Sequence, residues 1–319
     1  MARRLTAASL ACLLAACPAV ADRSAAPVAP TGGAVVAAQA VPAAQAVPGE
    51  CGGAPARAGR PPADPHGPEP GQVGRALREL RERLDTLAAP VPDTVVVPTW
   101  VHVLTDGRRP PEAAVRSQIA TLNAAYGGAH GGVATGVRFD LKGVTVTRNA
   151  EWFAHPVTHE TAMKAALRKG GPETLNLYIA QLGQLVLGYS TYPFWYDRDP
   201  TLDGVLLDWR TLPGGSLRNF NRGFTGVHEI GHWLGLFHTF DNGCQEPGDG
   251  IDDTPPQATP SGGCPRGKDS CPGAGPDAIH NFMDYTYDAC MREFTAGQGV
   301  RMREMWVAYR GSGTAGAAR

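Results

Sequence analysis

The run His228-Glu229-Ile230-Gly231-His232-Trp233-Leu234-Gly235-Leu236-Phe237-His238 constrains this chain more than any other stretch. Two histidines four residues apart share one face of a helix, so both imidazoles can reach a single ion. Glu229 stands one residue round from the first of them, where a carboxylate meets a water on the metal and not the metal itself. It is the candidate general base. Gly235 can take the positive φ that ends a helix and reverses the chain, which brings His238 back as third ligand. Three histidines leave a fourth zinc position open for water, as catalytic sites do and structural sites do not. A lone His-Glu-x-x-His also arises on ordinary amphipathic helices, but here the glycine and the third histidine stand at the required spacing too. Ile230, Trp233, Leu234 and Phe237 supply an apolar face, so the spacing predicts a buried central helix that holds zinc.

Downstream, Asn281-Phe282-Met283-Asp284-Tyr285 places a methionine in an apolar turn. Alone, such a methionine reads as core. After the zinc motif it resembles the Met-turn beneath the metal of metzincin peptidases, with Met283 as the floor and Tyr285 as the tyrosine that steadies the oxyanion. Further stretches narrow the likeness: Leu175 to Tyr178, Leu187 to Pro193, Asp203-Gly204-Val205, Thr239-Phe240, Gly248 to Pro255, and Phe294 to Gln298. Together they resemble the pappalysin (cytophagalysin-like) family of metzincins from about Val95 to Arg310. The resemblance implies an α+β fold. A mixed twisted sheet with backing and active-site helices would lie above a cleft, over a loop-rich lower half with the Met-turn and a C-terminal helix. It also implies a zinc endopeptidase acting on proteins or peptides, with Gly188, Tyr189 and Ser190 in an upper rim that binds extended substrate by strand addition.

Cys244, Cys264, Cys271 and Cys290 fall in the loop-rich part, where an exported protein can oxidise them. Four cysteines permit three pairings. The resemblance selects Cys244 with Cys271 and Cys264 with Cys290; a second zinc site is the alternative use. Asp249, Asp252 and Asp253 stand close to Thr254 in an acidic turn before two prolines. Hard cations take clustered oxygens from such loops, and by resemblance Asp249, the Ile251 carbonyl and Thr254 are candidate calcium ligands.

The N-terminus reads as an export signal: Arg3 and Arg4, an apolar run from Leu5 to Ala16, then small residues. Two processing patterns compete. Ala19-Val20-Ala21 fits cleavage before Asp22 and a secreted product, whereas Leu14-Ala15-Ala16-Cys17 fits a lipobox that would anchor Cys17 by lipid at the cell surface. The chain thus divides into a signal peptide (1–21), a Pro/Ala-rich leader or pro-segment (22–94), a catalytic domain (95–310) and a flexible tail (311–319). No other stretch is apolar and long enough to span a membrane. Within the leader, Val73, Leu77, Leu80, Leu84 and Leu87 fall at helical spacing, which fits either a solvated spacer or a pro-segment packed on the enzyme. Cys51, flanked by glycines, can supply a thiolate as fourth zinc ligand and hold the enzyme latent. Twenty-nine basic and thirty acidic residues leave a net charge of −1, which favours neither nucleic acid nor an anionic membrane as partner. A monomer is expected.

In the catalytic stretch, Val95 to Leu104 reads as a strand, and Pro110-Pro111 open a helix with Val115, Ile119, Leu122 and Tyr126 on one face. Val137 to Leu141 and Val144 to Val146 read as two strands, and Thr158 as the cap of a helix containing Met163 and Leu167. Leu175 to Ala180 and Leu185 to Tyr192 read as strands. Thr295 and Gln298 form a capping box for a last helix. The expected reaction is attack on a peptide carbonyl by a zinc-held water with Glu229 as base. The alternative from another class is a zinc-binding or adhesion module on the cell surface without catalysis, for which Glu229 would have no use.

Overall fold

The computed structural model describes residues 68–311 apart from 70, 88, 89, 184, 185 and 274. The expected signal peptide, Cys17, the leader around Cys51 and the tail from 312 lie outside the described residues. Among the described residues no helix is long and apolar enough to cross a membrane.

The leader's leucine spacing produces helix α1 (Gln72–Thr86), with Val73, Ala76 and Leu80 buried along one face. Val73 and Ala76 pack with Tyr192 and Phe237, and Leu80 with Met305, Ala308 and Tyr309. Arg83 lies 4.1 Å over the Tyr309 ring and donates to the Ala308 carbonyl and the Asp197 carboxylate. The helix is therefore packed on the domain and is not a solvated spacer.

Strand β1 (Val95–Thr105) is interior to the sheet and leads through α2 (Glu112–Tyr126) to β2 (Val137–Arg148), which pairs parallel to it. The two strands expected between Val137 and Val146 are one, because a register shift at Thr99/Trp100 carries the pairing past Lys142 without ending it. Gly143 lies at that shift, and the Trp100 ring fills the space a side chain would need there. The short helix α3 (Ala150–Ala154) is capped by Asn149. The next helix, α4 (Glu160–Leu167), begins at His159 with no side-chain cap, so Thr158 is not its cap. A turn from α3, closed by the His159 N–H on the His155 carbonyl, delivers the chain instead.

Strand β3 (Leu175–Ala180) is buried along its whole length. Strand β4 (Gly188–Ser190) is shorter than the expected Leu185 to Tyr192, because only these residues pair antiparallel with β5 and Pro193 opens a 3-10 turn. Strand β5 (Val205–Asp208) is a short apolar run that shows no alternation in sequence. The sheet order is β2-β1-β3-β5-β4, parallel except for β4 at one edge. Helices α2 and α5 (Phe224–Trp233) share one core with the sheet, through Val101, Leu122, Leu177, Val227 and Ile230.

Below α5 the chain is irregular until α6 (Ala296–Met305) and its π-helical extension Trp306–Arg310. Two disulfides hold this half, Cys244–Cys271 and Cys264–Cys290. The capping box of Thr295 and Gln298 is present. Asp203 joins the upper and lower parts: its buried carboxylate accepts from Thr191, the Trp233 indole and the fully buried Arg310. Arg310 also donates to the Trp233 carbonyl at the end of α5 and lies 3.6 Å over the indole ring.

Candidate active site

Helix α5 is set by α2 behind it. Gln118 donates to the carbonyl of Gly223, the left-handed residue before the first turn, and the Tyr126 hydroxyl donates to the Val227 carbonyl. Two turns along, Gly231 leaves room for the Met283 sulfur, which lies where a Cβ would otherwise stand. Gly235 adopts φ 92°, and any side chain there would run into Met305. The helix therefore stops, the chain reverses, and His238 returns beside His228 and His232.

The His232 Nε2 lies 3.1 Å from that of His228 and 3.0 Å from that of His238. Two nitrogens bound tetrahedrally to zinc at about 2.0–2.1 Å would stand about 3.3 Å apart, so this cluster has the span of one ion. The opposite ring nitrogens are tied back. His228 Nδ1 donates to the Phe282 carbonyl at 2.6 Å and His232 Nδ1 to the Leu236 carbonyl at 2.7 Å, while His238 Nδ1 stands 3.3 Å from the Asp241 carboxylate. The first two bonds turn the Nε2 lone pairs of His228 and His232 inward. Burial, helped by the neighbouring imidazole of His238, pushes His228 down to about 3 and His232 well below its ordinary value. Converging imidazoles fit a zinc ion; among the described residues this is the one cluster of three or more His, Cys, Asp or Glu side chains that could hold a metal.

Glu229 is buried against edge strand β4: a Cβ on Gly188 would come within 2.8 Å of its Cγ. The Tyr285 ring lies 4.9 Å from that of His238 and 5.6 Å from that of His228. Gly188, Tyr189 and Ser190 are all in edge strand β4, but the Tyr189 ring points to the far face of the sheet, among Phe153, Met163 and Tyr178. Only its backbone serves the α5 side.

In the acidic loop the Thr254 hydroxyl lies 2.7 and 2.8 Å from the two Asp249 oxygens and 2.9 Å from the Ile251 carbonyl. Burial pushes the Asp249 carboxyl up to about 7, against hydrogen bonds from Thr254 and the Ile251 N–H. Asp253 faces elsewhere, accepting from the Gly297 N–H in the first turn of α6. Sequence gives Gln298 only its capping role, and gives no side-chain role to Asn281 or Asp288. Asn281 and Gln298 exchange a reciprocal pair of amide bonds at 2.9 Å under the turn that carries Met283. Asp288 is buried, accepts from the Arg222 N–H, and is pushed up by that burial to about 6. Spacing gives no signal for the Asn281–Gln298 pair or for Asp288, since the partners are far apart along the chain.

An extracellular metalloprotease of Arthroderma benhamiae is 41% identical over 245 residues, covering 73% of this chain and 81% of the relative. One from Neurospora crassa is 44% identical over 253 residues, covering 73% and 84%. Residues 215–307 match the peptidase M43 family model, described as pregnancy-associated plasma protein-A. The chain belongs to the pappalysin family of metallopeptidases. Among solved structures, a mutant of Tannerella forsythia promirolysin superimposes on this pappalysin with a TM-score of 0.65 at 26% identity, over 75% of this chain and 88% of the other. Mature mirolysin with a cleaved peptide gives 0.59 at 29% identity, over 68% and 96%. The fold is thus that of a metzincin zinc metalloendopeptidase, and the family implies zinc as its metal. The cell-surface module without catalysis is not favoured.

Proposed function

We propose that this pappalysin is a secreted endopeptidase whose zinc is held by His228, His232 and His238 and whose general base is Glu229. The convergence of three buried imidazoles beside a buried carboxylate supports the reading most directly. Zinc held there would acidify a water and polarise the scissile carbonyl. Glu229 takes the proton of the attacking water and passes it to the leaving amine. Tyr285 donates to the oxyanion from the opposite side, and Met283 forms the Met-turn floor under the histidines. An extended protein substrate adds to the edge of β4, where recognition by backbone tolerates many sequences. Zinc content and proteolysis of Glu229→Ala test the assignment together: zinc retained and activity lost is the expected result.

Three finer parts belong to the same proposal. Calcium binds Asp249, the Ile251 carbonyl and Thr254, whose oxygens the Thr254 hydroxyl draws together. The chain is exported by a signal ending at Ala21 and released free and monomeric, so lipid labelling at Cys17 should be negative. The enzyme is made latent, with the Cys51 thiolate as zinc's fourth ligand; Cys51→Ala should then be active before processing, and equal latency in the two proteins would count against the switch.

A further inference from the structure

Gln257 is fully buried in the lower half, three residues beyond the acidic loop. Its amide is committed on both sides. The oxygen accepts from the Thr239 hydroxyl at 3.1 Å; the nitrogen donates to Asp284 Oδ1 at 3.0 Å, the Thr259 carbonyl at 2.9 Å and the Ser261 hydroxyl at 3.1 Å. Turned over, the amide would set its oxygen against a carboxylate and a carbonyl, so one orientation is fixed.

The partners give this amide its meaning. Thr239 directly follows His238, and its N–H reaches the Met283 carbonyl at 3.3 Å. Asp284 separates Met283 from Tyr285, and the oxygen that accepts from Gln257 also accepts from the Tyr285 and Ser261 N–H groups, at 2.8 and 2.9 Å. A single side chain thus spans from the segment leaving one histidine to the turn that carries Met283. His238 is also the histidine whose ring is held most loosely, 3.3 Å from Asp241 against 2.6 and 2.7 Å for the other two. Its direction therefore depends most on where its backbone stands.

We propose that Gln257 is a positioning residue of the zinc centre, fixing the backbone that leaves His238 against the turn bearing Tyr285. The inference rests on the reading of His238 as a ligand. It concerns how tightly zinc is kept and how Tyr285 is aimed, not whether the lower half folds.

Zinc release from the full chain to a chelator, together with kcat, KM and melting temperature, tests this in Gln257→Leu, Thr239→Val, Thr239→Ser and the Leu/Val double variant. Gln257→Leu and Thr239→Val should lose zinc about 10- to 100-fold faster, the usual cost of removing a group that orients a metal ligand, and should lower kcat with KM little changed. Thr239→Ser keeps the hydroxyl and should release zinc as wild type does. The double variant should be no faster than Gln257→Leu, since both remove one linkage. Wild-type zinc release in Gln257→Leu with only a lower melting temperature would overturn the proposal, as would multiplying effects in the double variant. Should Gln257→Leu fail to fold, Thr239→Val decides, and wild-type zinc release there overturns the proposal. His238→Ala separates the two claims: stoichiometric zinc in it sinks the ligand reading and this inference together. A zinc-free His238→Ala beside normal release from the other variants sinks this inference alone.

Discussion

Glu229 and Tyr285 approach the three histidines from different elements, one from α5 and one from the turn after Met283, so they can be tested separately. Replacing Glu229 with alanine removes the proposed base and leaves the three histidines in place. Proteolysis should fall by about 10²- to 10⁴-fold with zinc unchanged, and comparable turnover of an unfolded protein substrate by both forms would refute the role. Tyr285→Phe keeps the ring that packs 5.0 Å from Phe240 and removes only the hydroxyl. Loss of an oxyanion donor costs about 10²- to 10³-fold in kcat, so a kcat drop of that order with KM little changed is expected, measured on a peptide substrate. An effect confined to KM would assign Tyr285 to binding alone. At this scale the sequence was most readable where function is local. His228, Glu229 and His232 lie within two turns of one helix, where periodicity places them together, and Gly235 marks the reversal that returns His238. Gln257, Asp203 and Asn281 were silent because their partners are distant along the chain and a buried amide or carboxylate has no local pattern.

Elements were readable where they carry their own boundaries. Helix α2 follows its two prolines, and α6 starts at Thr295 with both bonds of its capping box formed. Elements whose limits are set by neighbours were misread. Strand β4 ends where β5 ceases to pair with it, and β2 runs on through a bulge that its partner's Trp100 requires. Gln298 combines both kinds of information, since its oxygen accepts from the Thr295 N–H and from Asn281 while its nitrogen returns a bond to Asn281. Thr295→Ala should cost about 1 kcal/mol, the ordinary value of a helix cap. Gln298→Ala should cost more, by about 1–3 kcal/mol, because it also leaves the buried Asn281 amide without its partner. Denaturant midpoints of the two variants check the ordering; equal losses would mean that the amide pair under the turn contributes nothing.

For the whole molecule, the acidic loop is a meeting point that its residues do not advertise. Gly250 stands against Leu77 of α1 and gives its carbonyl to Arg301 of α6, while Asp253 receives the Gly297 N–H. Stability of the assembly should therefore follow the state of Asp249, the buried carboxyl at its centre. Burial raises that carboxyl from an ordinary 3.8 to about 7. The sign follows from linkage. Below the ordinary value both folded and unfolded chains are protonated there and no penalty arises. Between about pH 4 and 7 the unfolded chain ionises first, so stability falls by up to roughly 1.4 kcal/mol per pH unit, and above about 7 the penalty is complete. Calcium, if held there as proposed, would pair with the ionised form and compete with the proton, so it should relieve the penalty only where the penalty exists. Added calcium should raise the melting temperature clearly at pH 8 and little at pH 5, and Asp249→Asn should abolish both the pH slope and most of the calcium response. Melting curves at the two pH values, with calcium and with a chelator that spares zinc, decide the matter: an equal calcium shift at both pH values, or none at either, would leave the loop an ordinary turn.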